Sequence, residues 1–467
     1  MAASASRLSP QRRLAEQAFS RAAGAPLVSG NALQLHVDAQ AAFAAWLEAI
    51  RAARHVILFA NYIFRDDAVG REFVAALAER ARAGVRVHVT RDWLGCLGQS
   101  SLRLWQPLVE AGGEVRTYNA PRLLSPFGWL SRDHRKLLVV DREVGFVGGI
   151  CVSGAWLGDP ARQVPPWRDS AVAIRGPAVD ELAQAFAEVW AQLGAPLPAA
   201  VAAPAPVAAG SVDLRVVATL PNIAGLYRFD QLITGLARRN LWLADAYFVG
   251  VTPYVQALIA AARDGVDVRL LVPGSSDIPA VGSVSRAGYR VLLEAGIRVF
   301  EWDGSMMHAK TAVADSRWAR VGSTNLNIAS WMGNCEIDVA IENDEFARQM
   351  EAQYLRDLEH STEVVLKAAR PRRHDPDAGH GGPHGGSSGR AAASALRIAN
   401  SVGAAITNRR LLGAAEAAPL LLGALILLAA STVALLWPRL FAWPLGALGV
   451  WVGLTLLARY IKLRRDH

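Results

Sequence analysis

Cysteine is scarce in this chain of 467 residues, and its first segment contains no continuous apolar stretch. Cys96, Cys151 and Cys335 lie far apart and form no C-x-x-C pair. This spacing excludes the common zinc-binding patterns and a disulfide-stapled fold. Residues 1–30 lack the apolar core of a secretory signal. We therefore expect the bulk of the chain to fold in a reducing cytoplasm.

Basic residues outnumber acidic ones in only one part of the chain. The formal net charge is +8, from 49 basic and 41 acidic side chains. Residues 366–467 hold 13 basic and four acidic side chains, which leaves a net charge of −1 for the preceding 365 residues. An enzyme that follows a nucleic-acid backbone needs clustered basic residues. The nearly neutral body argues against a nuclease, and we expect no nucleic-acid partner.

Lysine is rare, with four lysines beside 45 arginines, and two of the four occur in one repeated motif. The pattern H-x-K-x4-D begins at His134 and again 174 residues later at His308. A turn of small residues and then an acidic residue follow each copy. The candidate catalytic residues are His134, Lys136, Asp141, His308, Lys310 and Asp315, and the candidate supporting residues are Gly149, Ser323, Asn325, Asp169 and Glu336.

The two motifs lie in a long internal repeat of alternating strands and helices. The predicted strand at 55–62 matches that at 241–247, and the loop before the strand at 84–90 matches the loop before 265–271. This alternation predicts an α/β/α sandwich in each half. The expected fold class is therefore α/β, with two pseudo-symmetric sandwich domains that share one active site.

Composition changes set the expected domain limits. The predicted order is an N-terminal extension (1–30), a first half (31–193), an Ala/Pro linker (194–210), a second half (211–366), a disordered basic Gly/His linker (367–390), an amphipathic helix (391–410), two transmembrane helices (411–458) and a basic tail (459–467).

Two uncharged runs near the C-terminus predict a transmembrane hairpin. Residues 419–436 and 440–458 contain no charged side chain, and each run approaches the ~20 residues that a span requires. A buried helical hairpin in a soluble domain is the alternative. Arginines and a lysine flank the outer ends of the pair, at 409–410 and 459–465, whereas only Arg439 lies at the turn. The positive-inside rule then predicts that both ends and the body face the cytoplasm.

The spacing within each motif has a chemical meaning. Residues i and i+2 of a strand point to the same face, so each motif presents its histidine and lysine together. Two imidazoles and two ammonium groups around one cavity suit a phosphodiester. The lysines can stabilise the charge of the transition state, while one histidine attacks phosphorus and the other protonates the departing oxygen. A single motif is most often a coincidence, but two copies in a matched repeat favour an active site.

These motifs resemble those of the phospholipase D superfamily over roughly residues 30–366, and within it those of bacterial cardiolipin synthases. The stretches that carry the resemblance are Tyr62-Ile-Phe-Arg-Asp-Asp67 with Gly70, Arg91-Asp-Trp-Leu-Gly95, Arg132-Asp-His-Arg-Lys136, Phe146-Val-Gly-Gly149, Trp167-Arg-Asp169 and Arg175-Gly-Pro-Ala-Val179.

The resemblance implies a phosphatidyl transfer in two displacements. His134 is the expected nucleophile, and His308 the acid that protonates the leaving glycerol and the base that then activates the acceptor hydroxyl. Asp169 and Glu336 are expected to accept from the far ring nitrogen of a catalytic histidine. The groups expected to hold phosphate oxygens are Lys136, Lys310, Ser323 and Asn325, while Asp141 and Asp315 are expected to brace the motif loops rather than touch substrate.

The resemblance also implies the substrates, and the apolar runs with their flanking charges imply the location. The expected substrates are phospholipids, with phosphatidylglycerol first and phosphatidylethanolamine as an alternative, and no metal or other cofactor is expected. His374, His380 and His384 have no fixed scaffold for a metal. The expected location is the bacterial inner membrane, with the catalytic body on its cytoplasmic side.

Two departures from the family pattern leave the donor lipid open. Cys151 stands where an asparagine is usual, and the predicted membrane helices are C-terminal rather than N-terminal. The alternatives are a phospholipase D that uses water as the acceptor, a phosphodiesterase acting on nucleic acid, and a non-catalytic membrane scaffold. The intact motifs argue against the scaffold. The sequence is silent on oligomeric state.

Overall fold

Strands from both halves of the repeat join in one continuous sheet. The computed structural model describes residues 10–121, 131–198 and 206–366, with scattered positions between 425 and 457. Fifteen strands in the described part are hydrogen-bonded side by side.

The elements up to the linker are α1 (Pro10–Ala23), β1 (Val28–Val37), α2 (Asp38–Ala52), β2 (Val56–Asn61), α3 (Ala68–Arg82), β3 (Arg86–Asp92), α4 (Gln106–Glu110), β4 (Glu114–Tyr118), β5 (Lys136–Val140), β6 (Val144–Gly148), β7 (Ser170–Arg175) and α5 (Ala178–Gln192). Those after it are β8 (Val212–Thr219), α6 (Gly225–Leu236), β9 (Asn240–Ala244), α7 (Thr252–Arg263), β10 (Asp267–Pro273), α8 (Pro279–Glu294), β11 (Arg298–Trp302), β12 (Thr311–Ala314), β13 (Trp318–Gly322), β14 (Glu336–Glu342), α9 (Asp344–Leu358) and β15 (Ser361–Val364).

The strand order repeats about a seam between β8 and β1. The order is β15-β11-β10-β9-β12-β13-β14-β8-β1-β7-β6-β5-β2-β3-β4, so β2 corresponds to β9, β5 to β12 and β7 to β14. At the seam β1 pairs antiparallel with β8, with Val28 opposite Leu214 and Asn31 opposite Val212. The predicted α/β architecture of two matched halves is confirmed.

Most predicted elements are present with small shifts in their limits. The strand expected at 55–62 is β2, and the strand expected at 84–90 is β3. Residues Leu102–Trp105 form a 3₁₀ turn directly before the short α4. Pro107 lies in the first turn of α4, where its missing N–H and fixed φ favour a helix start. The elements α1 and the beginning of β1 lie within the predicted extension.

The largest apolar cluster is shared by the two halves. It contains Leu182 and Trp190 of α5, Met350 and Tyr354 of α9, and inward residues of strands from both halves, including Val172. Two further clusters cover the other faces, one under α2 and α3 and one under α6 and α7. Because burial of apolar area is the main stabilising term in folding, the two halves are held together by a common core.

The motif aspartates fix the far ends of the motif strands. Asp141 follows β5, and its carboxylate accepts the backbone N–H groups of Arg54, His55 and Val56 at 2.6, 2.7 and 2.8 Å. Asp315 follows β12 and accepts three backbone N–H groups just before and at the start of β9. At ~3.3 Å per residue, five residues place Asp141 about 16 Å along the strand from Lys136. The structure therefore does not bring Asp141 and Asp315 to the motif histidines.

The predicted C-terminal segments at 367–424 and 458–467 lie outside the described residues, and so do residues 1–9 and 199–205. Of the predicted transmembrane pair, only scattered positions from 425 to 457 are described. Among the positions that the structure does describe, no helix is both long enough and apolar enough to cross a bilayer.

Replacing Asp141 with alanine tests its bracing role. We expect Asp141→Ala to lower the free energy of unfolding by about 2–3 kcal/mol, since backbone N–H groups lose a charged acceptor. Asp141→Asn should lose less, because asparagine keeps an acceptor oxygen and tolerates the positive φ of 52° at this position. Denaturant unfolding of the three proteins measures both effects, and equal transition midpoints for wild type and Asp141→Ala would contradict the role.

Candidate active site

Each motif histidine is held by a carboxylate from the other half of the chain. His134 Nδ1 lies 2.9 Å from Oε2 of Glu336, which is 202 residues away in sequence. His308 Nδ1 lies 2.7 Å from Oδ2 of Asp169, which is 139 residues away. The crossing means that neither half contains a complete histidine–carboxylate pair.

Backbone hydrogen bonds cross between the halves in the same way. The N–H of His134 donates to the carbonyl of Cys335 at 2.9 Å, and the N–H of His308 donates to the carbonyl of Arg168 at 2.7 Å. Short parallel bridges join Asp133 to Cys335 and Arg168 to Met307. The acidic segment of each half thus runs beside the histidine segment of the other, which unites the two motifs in one site.

The motif lysines are buried beside the histidines. Lys136 begins β5, and its Nζ donates to the carbonyl of His134 at 2.6 Å. Lys310 Nζ donates to the carbonyl of His308 and lies 3.0 Å from Nδ1 of the same ring. An ammonium group has three donors, so each lysine has donors beyond the one that its own backbone takes.

Two tyrosines that the sequence analysis did not select line the same site. The Tyr62 ring lies edge-on to His134 with the ring centroids 4.7 Å apart, and Lys136 Nζ is 5.0 Å from the Tyr62 centroid. In the other half, the Tyr247 ring lies 5.9 Å from the His308 ring. These residues end the matching predicted strands 55–62 and 241–247, so the repeat itself carries the signal that could have found them.

The two carboxylates are supported by different donors. Glu336 accepts from Ser323 Oγ at 2.6 Å and from Asn334 Nδ2 at 3.1 Å. Asp169 accepts instead from the indole N–H of Trp156 at 2.9 Å. The residue that matches Ser323 is Gly149, where an added Cβ would lie 2.2 Å from Oδ1 of Asp169. The expected phosphate ligand Ser323 therefore bonds Glu336, and no sequence pattern pointed to Trp156.

The remaining candidate groups follow the small-residue turns. Asn325 is buried, and its side-chain oxygen has no hydrogen-bond partner among the described residues. Cys151 holds the matching position in the first half and packs in the apolar cluster under α2 and α3. Burial raises the pKa of the Cys151 thiol, which keeps it protonated.

The sequence matches one family over both halves. Residues 46–190 and 232–358 match the family described as "Cardiolipin synthase, PLD-like domain". The chain belongs to this family. Cardiolipin synthase A of Pseudomonas aeruginosa (strain LESB58) is 34% identical over 362 residues, which cover 76% of this chain and 73% of the relative. Cardiolipin synthase 1 of Bacillus anthracis is 29% identical over 363 residues, which cover 75% of this chain and 70% of the relative.

The fold also occurs in a solved structure outside the named cardiolipin synthases. The crystal structure of phosphatidylserine synthase from Haemophilus influenzae Rd KW20 superposes with a TM-score of 0.59 over 74% of this chain and 91% of that chain, at 14% sequence identity. At this identity the likeness shows a shared fold. The resemblance to the phospholipase D superfamily and to its cardiolipin synthases is confirmed by the family match and by the curated relatives.

Both motif imidazoles of this cardiolipin synthase relative are neutral in the resting site. Burial lowers the pKa of His134 to about 4, and burial together with the Lys310 ammonium lowers that of His308 to about 3. Burial alone would raise the pKa of Asp169 and Glu336, but the paired histidine and the nearby lysines outweigh it, so both values lie below their usual range. Each imidazole thus donates Nδ1–H to an ionised carboxylate, which leaves the Nε2 lone pair for chemistry.

The charges of the motif lysines and of the two carboxylates that hold the histidines balance. Burial lowers the pKa of Lys310 to about 8, so its amine is mostly protonated at neutral pH. Two ammonium groups, Lys136 and Lys310, lie beside the histidines that Asp169 and Glu336 hold. The charges of these four groups sum to zero, and a bound phosphodiester adds one negative charge to them.

No group of three or more His, Cys, Asp or Glu side chains is arranged to hold a metal ion within the described residues. His374, His380 and His384 lie outside those residues. The expectation that the reaction needs no cofactor stays a prediction, and it accords with a donor set of two imidazoles and two amines rather than a carboxylate cage.

The neutral histidines predict a pH dependence of stability. Their pKa values of about 4 and about 3 lie below the ~6.5 of an unfolded histidine, so the unfolded chain binds more protons between these values. The contribution of each histidine to stability should therefore fall as pH drops from about 6.5 towards 4, by up to ~1.4 kcal/mol per pH unit. His134→Asn should have a shallower slope in this range.

Denaturant unfolding in detergent between pH 4.5 and 7, followed by tryptophan fluorescence, measures the slope. The matched control is His55→Asn, which replaces an exposed histidine at the start of β2. Identical slopes for all three proteins would contradict the buried neutral state of His134.

Proposed function

We propose that the protein moves a phosphatidyl group from phosphatidylglycerol to the hydroxyl of a second phospholipid, giving cardiolipin and glycerol. The observation that carries the proposal is the pair of crossed histidine–carboxylate contacts beside two buried ammonium groups. The relatives with 29–34% identity named cardiolipin synthase support the same reaction. This arrangement has the groups that a double displacement at phosphorus requires.

In the first displacement, His134 is the nucleophile. Its Nε2 lone pair attacks phosphorus, and the bond from phosphorus to the glycerol oxygen breaks. The departing oxygen takes a proton from Nε2 of His308, so glycerol leaves as a neutral alcohol. The phosphatidyl group is then bound covalently to His134.

His308 takes up a proton from solvent when the substrate binds. His308 is neutral in the empty site, and the phosphodiester brings one negative charge into a buried, otherwise balanced site. An added anion favours the charged form of a nearby imidazole and so raises its pKa. Lys136 and Lys310 donate to the non-bridging oxygens, on which charge accumulates in the transition state.

In the second displacement, the same groups work in reverse. The hydroxyl of the acceptor lipid gives its proton to His308, its oxygen attacks phosphorus, and the bond between phosphorus and His134 breaks. Glu336 keeps the His134 ring oriented throughout, as Asp169 does for His308. Water in place of the lipid alcohol gives phosphatidic acid by the same steps, so exclusion of water decides between transfer and hydrolysis.

The sequence supports a membrane location for this reaction. We infer that residues 411–458 form a transmembrane hairpin, which follows the predicted disordered linker and amphipathic helix in the sequence. We infer also that the two halves at 31–193 and 211–366 lie on the cytoplasmic side of the bacterial inner membrane. The surplus of nine positive charges in residues 366–467 supports this, because each lysine or arginine near an anionic leaflet contributes ~1 kcal/mol of attraction. A second phosphatidylglycerol in that membrane would supply the acceptor hydroxyl, and phosphatidylethanolamine would serve as an alternative donor of the phosphatidyl group.

The products formed from labelled phosphatidylglycerol test the function. We expect the purified full chain in mixed micelles to yield cardiolipin and free glycerol in equal amounts. Phosphatidic acid as the only lipid product would overturn transfer in favour of hydrolysis. A labelled oligonucleotide should remain intact in the same preparation.

The same assay with His134→Ala and His308→Ala tests the two-histidine mechanism. Each variant should lose at least about a thousandfold in kcat, because residues that act as one catalytic unit cannot replace each other. Thermal unfolding checks that both variants fold. A variant with substantial remaining turnover would contradict the mechanism.

Protease accessibility tests the orientation. In inverted inner-membrane vesicles, whose cytoplasmic face is outward, the body should be digested by added protease. In intact spheroplasts it should be protected until detergent is added. Digestion of the body in intact spheroplasts would contradict the topology read from the flanking charges.

A further inference from the structure

The two tyrosines beside the motif histidines have partners of opposite charge. Burial raises the pKa of the Tyr62 hydroxyl, and the nearby guanidinium of Arg132 opposes that rise. The hydroxyl of Tyr247 donates to Oδ1 of Asp277 at 2.8 Å. The site is therefore symmetric in its reacting groups and asymmetric in the charges at its edge.

The sequence of each half explains this asymmetry. Arg132 lies two residues before His134, and the matching residue two before His308 is the buried Met306. Asp277 lies in the turn after β10, where Ser276 Oγ accepts the N–H of Ile278 at 3.2 Å. The acidic group is therefore on the His308 side of the site and the guanidinium on the His134 side.

Asp277 is placed to meet a ligand. Its side chain is exposed, and its Oδ2 makes no hydrogen bond with the part of the chain that the structure describes. Tyr247 holds Oδ1, and the Tyr247 ring in turn lies 5.9 Å from His308 and 5.7 Å from Lys310 Nζ. Oδ2 of Asp277 is therefore accessible to a ligand. A single tyrosine side chain, that of Tyr247, separates Asp277 from His308, the proposed acid.

We propose that Asp277, positioned by Tyr247, binds the hydroxyls of the glycerol head group on the side of the site that His308 serves. This inference rests on the proposed function and deepens it. In two displacements at one phosphorus, the first alcohol leaves and the second enters opposite His134. One head-group pocket beside His308 therefore serves both the departing glycerol and the hydroxyl-bearing end of the acceptor lipid.

The chemistry of Asp277 and Tyr247 fits an alcohol that carries hydroxyl groups in addition to the one that reacts. A carboxylate oxygen accepts from a hydroxyl in a charge-assisted hydrogen bond, which is stronger than a bond between neutral groups. Water has no second hydroxyl to bind at Asp277 while it attacks phosphorus. The pocket therefore favours a polyol over water in the second displacement.

Substitution of Asp277 tests the pocket through the ratio of products. We expect Asp277→Asn and Asp277→Ala to lower kcat/KM for phosphatidylglycerol about tenfold, the size expected when one hydrogen bond to a charged acceptor is lost. The ratio of cardiolipin to phosphatidic acid should fall as well, because water then competes better for the phosphatidyl-enzyme. Tyr247→Phe should change both quantities in the same direction by less, since it acts only through Asp277.

The matched control is Asp264→Asn, which alters an exposed aspartate at the opposite end of β10. This variant should keep the wild-type ratio and the wild-type kcat/KM. A lost structural contact at Asp277 would lower the unfolding temperature without changing the product ratio, so thermal unfolding of each variant separates the two roles.

Three results would overturn the inference. The first is an unchanged kcat/KM and product ratio in both Asp277 variants. The second is a loss of kcat/KM in the Asp277 variants that occurs only with phosphatidylethanolamine as the donor, because it would show that the carboxylate binds an ammonium group instead of hydroxyls. The third is a change of kcat/KM and product ratio in Asp264→Asn that is as large as the change in the Asp277 variants. If the wild type forms only phosphatidic acid, the proposed transfer fails separately, and kcat/KM of the Asp277 variants for phosphatidylglycerol still decides the pocket.

Discussion

The hydrogen bond between the imidazole of one half and the carboxylate of the other is the contact on which the site depends. It sets the tautomer of each ring, since an ionised oxygen at Nδ1 fixes the proton there and leaves Nε2 basic. It also requires the two halves to dock in one register. The shared apolar core under α5 and α9 and the seam between β1 and β8 provide that register.

Burial and charge balance work together in this site. Four ionised groups without water would be costly if any stood alone, because a buried charge needs a partner. Here each carboxylate has an imidazole and a nearby ammonium, and each ammonium also donates to a backbone carbonyl. The site can therefore be dry, which strengthens its effect on a phosphate, without carrying an unpaired charge of its own.

The sequence alone was sufficient for the features that repeat. Strand and helix alternation, the pairing of the halves and the family follow from patterns that occur twice, such as H-x-K-x4-D. What does not repeat was missed. The indole of Trp156 replaces the hydroxyl of Ser323, and the charged groups that act on Tyr62 and Tyr247 have opposite signs. These differences depend on tertiary contacts that the repeated pattern does not contain. The sequence also could not predict that each carboxylate bonds the histidine of the other half, since the spacing of residues does not show which half supplies the carboxylate for a given histidine.

The long separation of each histidine from its carboxylate has a consequence for synthesis of the enzyme. Glu336 lies 202 residues after the ring that it orients, so a growing chain carries His134 long before that ring can be positioned. Domains generally fold as units during synthesis, and the first half can assemble its own strands while its imidazole still lacks a partner. A chain that ends before Glu336 therefore lacks the carboxylate that orients His134, and the complete site can form only after about seven tenths of the sequence has been synthesised.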